Sequence, residues 1–176
     1  IDGLPIWSPS GDQAIFLKTE FGRVFSEDFL LGVAAPFQHE MYELSWSSAP
    51  FTEAIELGFG TAPFWISEQE ISFVTRIGIA NVVVSQRLDL LSEPRVIITM
   101  ADLWPAIGQL PEVVNANGST EFELVTAIPN PADPEQLFLV IAEGPIQFQG
   151  SEDRRHHFIT YNLATEKPAY IVSELG

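Results

Sequence analysis

Few residues in this chain have the type and spacing to do chemistry. There are three histidines: His39, beside Glu40, and the adjacent pair His156-His157, which follows Asp153-Arg154-Arg155. An imidazole next to a carboxylate can ligate a metal or move a proton. Neighbouring residues of a strand point to opposite faces, so His156 and His157 cannot both grip one ion. A metal site would need the fold to bring His39, His156 and a carboxylate together. The plainer reading is surface histidines beside a charged loop, so no metal or cofactor is expected. The 24 acidic residues could supply the two facing carboxylates that a glycosidase needs, but no pair stands out. There is no Gly-x-Ser-x-Gly elbow around a nucleophilic serine and no glycine-rich phosphate loop. Ser8 and Ser67 lie in turns, and Asp89, Asp102 and Asp133 read as turn residues. The absence of cysteine excludes disulfides, thiolate metal sites and cysteine nucleophiles. No residue is assigned a catalytic role. Aromatic rings are the other candidates. Trp46 and Trp104 are suited to stacking on a ligand, whereas Trp7 and Trp65 recur at matched places and are expected in the core. The candidate ligand-binding residues are therefore Trp46, Trp104, His39 and His156.

The elements that must position these residues are short and strand-like. Val, Ile, Phe, Trp and Tyr dominate the apolar runs, and 13 prolines and 12 glycines are spread between them. Strands are expected at Ala14 to Leu17, Phe29 to Ala35, Glu40 to Trp46, Phe51 to Leu57, Ile71 to Arg76, Ile79 to Gln86, Arg95 to Met100, Glu121 to Ile128, Gln136 to Ala142, Ile146 to Gln149, His157 to Leu163 and Ala169 to Val172. Phe51, Ala54 or Ile55, and Leu57 are expected core. Asn117-Gly118 marks a tight hairpin. Asp102-Leu103-Trp104-Pro105 reads as a loop or a short helical turn, and no helix of ordinary length is evident.

One unit recurs. Pro5-Ile6-Trp7 leads into the turn Ser8-Pro9-Ser10-Gly11, and an apolar strand follows. Pro63-Phe64-Trp65 leads into another polar turn and the strand Ile71 to Val74, 65 − 7 = 58 positions on. A weaker third copy runs from Ile128-Pro129 through a proline-rich turn to Leu137-Phe138-Leu139-Val140, without the tryptophan. Self-similarity on this scale marks a repeat or propeller architecture.

Trp7-Ser8-Pro9-Ser10-Gly11 followed by Ala14-Ile15-Phe16 resembles the TolB-type, WD40-like β-propeller repeat, whose pattern is Trp-Ser-Pro-Asp-Gly, a few residues, then Ile-Ala-Phe. Ser10 stands where the family has Asp. The second copy lacks the Pro-Asp-Gly turn, and His157 to Lys167 looks like the family's next strand and turn. The resemblance implies an all-β fold of antiparallel four-stranded blades, approximately 1–60, 61–125 and 126–176, in one domain spanning 1–176. A β-sandwich or barrel is the alternative. Three blades fall short of the usual four to eight, which implies either a missing remainder of the propeller or a homodimer closing a six-bladed ring.

Net charge is −16, which repels nucleic acid, and no apolar run approaches the ~18 residues of a membrane helix. Residue 1 is Ile, consistent with a removed leader or a missing N-terminal part. The resemblance implies a non-catalytic scaffold that binds a protein or peptide in the periplasm or outside the cell. The alternatives are the propeller portion of a peptidase, a carboxylate-using hydrolase or lyase, and a structural subunit of a larger assembly.

Overall fold

A computed structural model describes residues 5–18, 42–78, 80–89, 92–108, 122–143 and 155–175. The strands expected at Phe29 to Ala35 and Ile146 to Gln149, the Asn117-Gly118 hairpin turn and His39 lie outside the described residues. Strands β1 (Ile6–Trp7), β2 (Gln13–Lys18), β3 (Tyr42–Ser48), β4 (Ile55–Ser67), β5 (Glu70–Ile77), β6 (Ala80–Arg87) and β7 (Arg95–Ile98) pair in chain order as one antiparallel sheet. Helix α1 (Met100–Ile107) follows. Strands β8 (Phe122–Asn130), β9 (Asp133–Glu143), β10 (Arg155–Asn162) and β11 (Lys167–Leu175) form a second antiparallel meander. The fold is all-β, with its sheets curled into a half-barrel.

The long strand β4 divides the larger sheet. Its first half pairs with β3, from Trp46↔Ile55 to Tyr42↔Gly60, and its second half pairs with β5, from Thr61↔Val74 to Ser67↔Glu70. A register shift between Thr61 and Phe64 contains Ala62, at φ 48°, and Pro63. Proline has no N–H to give a ladder, and the irregularity is where a strand tolerates it. Among the described residues three four-stranded units result: β1 to the start of β4, the end of β4 to β7, and β8 to β11.

The middle unit is covered on both faces. Ile71, Phe73, Val82 and Val84 pack with Ile15, Leu44 and Leu57 of the first unit. Val74 and Val83 pack with Leu124, Leu137, Leu139, Ile141 and Ile159 of the third. This explains the continuous burial of 71–74 and the apolar run 82–84, because a sheet buried on both sides has no reason to alternate; Ser72, the polar member, donates its hydroxyl to the Val84 carbonyl at 2.7 Å. In β10, by contrast, His157, Ile159 and Tyr161 are buried while Phe158 and Thr160 are half-exposed. The cores lie between successive units, an arrangement distinct from the single core of a two-sheet sandwich.

The turns repeat as well. In each unit the chain leaving the third strand donates a backbone hydrogen bond to the entry of the second: Ala49 N–H to the Asp12 carbonyl, Leu88 to Gln69, and Leu163 to Glu135, at 2.8, 2.9 and 2.7 Å. These turns therefore share one end of the molecule. The first turn closes with Gly11 N–H to the Ser8 carbonyl, and Gly11 sits at φ 79°, a conformation that glycine adopts without strain.

Two expectations are corrected, and a third, open between a loop and a short helical turn, is decided. Trp7 is not core: it is 52% exposed and meets Phe51 edge-on with centroids 5.6 Å apart. The reason is register, since Trp7 lies opposite Ala14 on the face turned away from the middle unit. Phe51 and Ile55 are exposed because β4 begins only at Ile55, leaving Phe51 in the preceding connection and Ile55 at the strand's open end. Residues 100–107 form a two-turn helix. The Asp102 carboxylate accepts from both the N–H and the hydroxyl of Thr99, at 2.7 Å each, and Leu103 and Ile107, four apart, bury one stripe of the helix.

Candidate functional site

A cleft of about 300 Å³ opens between β7 and the turn joining β10 to β11. Ile66, Glu70, Ser85, Arg95, Val96 and Ile97 line it from the middle unit, and Tyr161, Leu163 and Glu166 from the third. Strand pairing positions this lining. Ser85 lies opposite Arg95 across β6 and β7, and its hydroxyl donates to the Glu70 carboxylate on β5. Val96 is exposed, and β7 is the last strand of its sheet among the described residues. Tyr161 is buried, which together with the nearby negative charge of Asp102 and Glu166 pushes its phenol above the ordinary range. The cleft thus offers carboxylates, a guanidinium, a neutral phenol and an apolar strip beside an edge strand. That mixture suits an extended peptide.

A second cluster occupies the start of β10 and is closed. His157 is fully buried, and its Nε2 lies 2.7 Å from Glu143 Oε2 on the neighbouring strand. Phe122 covers the imidazole, with centroids 5.8 Å apart, and Trp104 meets Phe122 edge-on at 5.8 Å. Beside it, Asn81 Nδ2 donates to the Leu124 carbonyl at 3.0 Å and to Glu123 Oε1 at 3.1 Å, and Asn81 Oδ1 accepts from Arg76 Nε at 3.3 Å. These bonds pin the middle unit to the third. A fully buried histidine covered by Phe122 and bonded to the neighbouring strand is placed to tie β10 to β9 within the third unit.

The candidate residues are thus dispersed. Trp46 is half-buried against the first core and donates its indole N–H to Gln13 Oε1 at 2.9 Å. Trp104 is 50% exposed on α1. His156 is half-buried on β10, on the face opposite His157. Among the described residues no group of three His, Cys, Asp or Glu is placed to hold a metal. The cleft residues were not legible in the sequence, because they converge from β4, β5, β6, β7, β10 and the turn after it.

No family model matches this chain, and no curated protein does. Solved structures do. A putative TolB from Agrobacterium tumefaciens superposes with a TM-score of 0.59 at 11% identity, over 100% of this chain and 52% of that one. The fold is a TolB-like propeller fold. An oligogalacturonate lyase in complex with manganese matches with a TM-score of 0.53 at 10% identity, over 98% of this chain and 41% of that one. The chain therefore spans about half the length of the solved structures it matches. No helix among the described residues is long and apolar enough to cross a membrane.

Proposed function

We propose that this chain is a non-catalytic propeller module, built of blades at approximately 1–60, 61–125 and 126–176, that binds an extended peptide segment of a protein partner outside the cytoplasm. The observation that carries the reading is the cleft beside edge strand β7. An extended segment laid along β7 gains main-chain hydrogen bonds from the strand and a side-chain pocket from the cleft. Glu70 and Glu166 line that pocket, and the net charge of −16 draws cationic segments toward the surface and repels nucleic acid. Trp104, Trp46 and His156 are not part of this cleft and hold no role in it. A periplasmic or extracellular location belongs to the same reading and is checked by fractionating the producing cells.

The test is selection from a random-peptide library on the 176-residue chain, followed by titration of the best peptide. Val96→Glu and Arg95→Glu alter exposed positions, so both variants fold. The reading expects the Val96→Glu variant to lose at least tenfold in affinity, about 1.4 kcal/mol, by removing the apolar strip, and Arg95→Glu to change affinity with the peptide's charge, tighter for a cationic peptide. A peptide that binds both variants as tightly as the unaltered protein overturns it.

A further inference from the structure

The junction between the first two units shows how a face of one unit receives the next. Trp65, at the end of the middle unit's first strand, donates its indole N–H to the Ile6 carbonyl at 3.0 Å. Three residues on, Glu68 clips the first turn: Oε1 accepts from Ser10 N–H at 2.6 Å and Oε2 from the Ser10 hydroxyl at 2.8 Å. Gln13 Nε2 completes the clip by donating to the Glu68 carbonyl at 2.8 Å. Apolar side chains fill the space behind.

The two outer faces of the row carry the two halves of this junction. On the first unit, Trp7 holds the place of Trp65: each lies at or near the end of a first strand and opposite an apolar residue of the second, Ala14 and Ile71 respectively. Its ring is turned outward and half-exposed. On the third unit, Ile128 holds the place of Ile6: each precedes the turn, and each lies opposite an apolar residue, Phe138 and Ile15 respectively. Ile6 faces the middle unit's core. Ile128 faces away from its own core and is 49% exposed, beside the stacked Phe138 and Phe158 rings, 5.6 Å apart, and exposed Val172.

We infer that the outer face of the third unit, around Ile128, receives the Trp7 face of a second copy of this chain, and that two such junctions close two half-barrels into one ring. The occupant follows from the repeat: the face that Ile128 calls for is a strand end bearing a tryptophan, and Trp7 is an outward-turned one. Three units curl through half a barrel, so two copies close after a half-turn with both faces used. Closure also makes the second junction intramolecular once the first has formed. Ser10 stands where Glu68 stands in the middle unit, so the new junction rests on the indole and the apolar side chains, without a carboxylate clip.

The experiment is the solution mass of the 176-residue chain by light scattering across the micromolar range. The expected mass is twice 19.5 kDa. Trp7→Glu alone and Ile128→Glu alone should each give 19.5 kDa, while keeping the circular dichroism of the unaltered protein. Mixing the two variants should restore dimer, because one junction then pairs an unaltered Trp7 face with an unaltered Ile128 face. If either glutamate variant misfolds, Trp7→Gln and Ile128→Thr replace them under the same expectations. A monomer throughout overturns the inference and leaves these faces to another partner. A dimer that survives both substitutions, or a mixture that stays monomeric, also overturns it, since the contact would then lie elsewhere or pair each face with itself.

Discussion

His157 and Tyr161 carry the clearest consequences of single side chains. A buried histidine bonded to Glu143 under Phe122 contributes packing and a hydrogen bond to a carboxylate. His157→Ala should destabilise the protein by about 2–4 kcal/mol in denaturant unfolding, from the emptied space and the lost bond. His157→Gln retains an amide donor and should cost less than His157→Ala; equal losses would mean that the bond to Glu143 contributes nothing. Tyr161 sets a pH dependence. Its phenol is pushed up by burial first and by Asp102 and Glu166 next, so the folded protein holds this proton more tightly than the unfolded chain. The stability this contributes is complete below the ordinary value of about 10 and is lost as pH rises through the higher folded value. Phenolate absorbance of the unaltered protein and of Tyr161→Phe, taken across alkaline pH, should differ by a late-titrating tyrosine. A difference spectrum that titrates at or below the ordinary value contradicts this account.

Among the elements, β4 departs most from its sequence. Phe51 to Leu57 reads as a separate strand that stops before Pro63-Phe64-Trp65, yet Ile55–Ser67 is one element. Continuity is possible because each half answers to a different neighbour and the irregularity falls at Ala62 and Pro63. Gly60, just before that change, is required by space. A Cβ there would lie 2.5 Å from the Phe73 ring and 2.9 Å from the Val74 carbonyl oxygen. Gly60→Ala should therefore cost about 1–3 kcal/mol by overpacking. Adding Phe73→Leu should recover little, since the carbonyl cannot retreat; an unchanged melting temperature for Gly60→Ala would show that the strands lie further apart than described. Helix α1 was half legible, since Asp102-Leu103-Trp104-Pro105 reads as a loop or a short helical turn. Pro105 argues against a helix, but the Thr99–Asp102 start and the Leu103–Ile107 stripe are enough to form two turns around it. Strands β5, β6, β9 and β10 were legible, because their apolar runs or alternation record which faces the neighbouring units cover.

On the scale of the whole molecule, the repeat was legible because it is written into contacts. The spacing of 58 between Trp7 and Trp65 is also the spacing between Ser10 and Glu68, which bond across the first junction. The exposure of Trp7 was not legible from the same repeat, because equivalent residues share a place in the unit but not the presence of a neighbour. The cleft could not be read from sequence at all, since curvature of the row, not any local pattern, brings Glu166 toward Arg95. The most direct measurement of the central claim is amide hydrogen exchange of the chain with and without its best-selected peptide. The account expects exchange to slow at Arg95–Ile98 when the peptide adds to the edge of β7. Protection confined to another strand or to the opposite end of the units, with β7 unchanged, would contradict it.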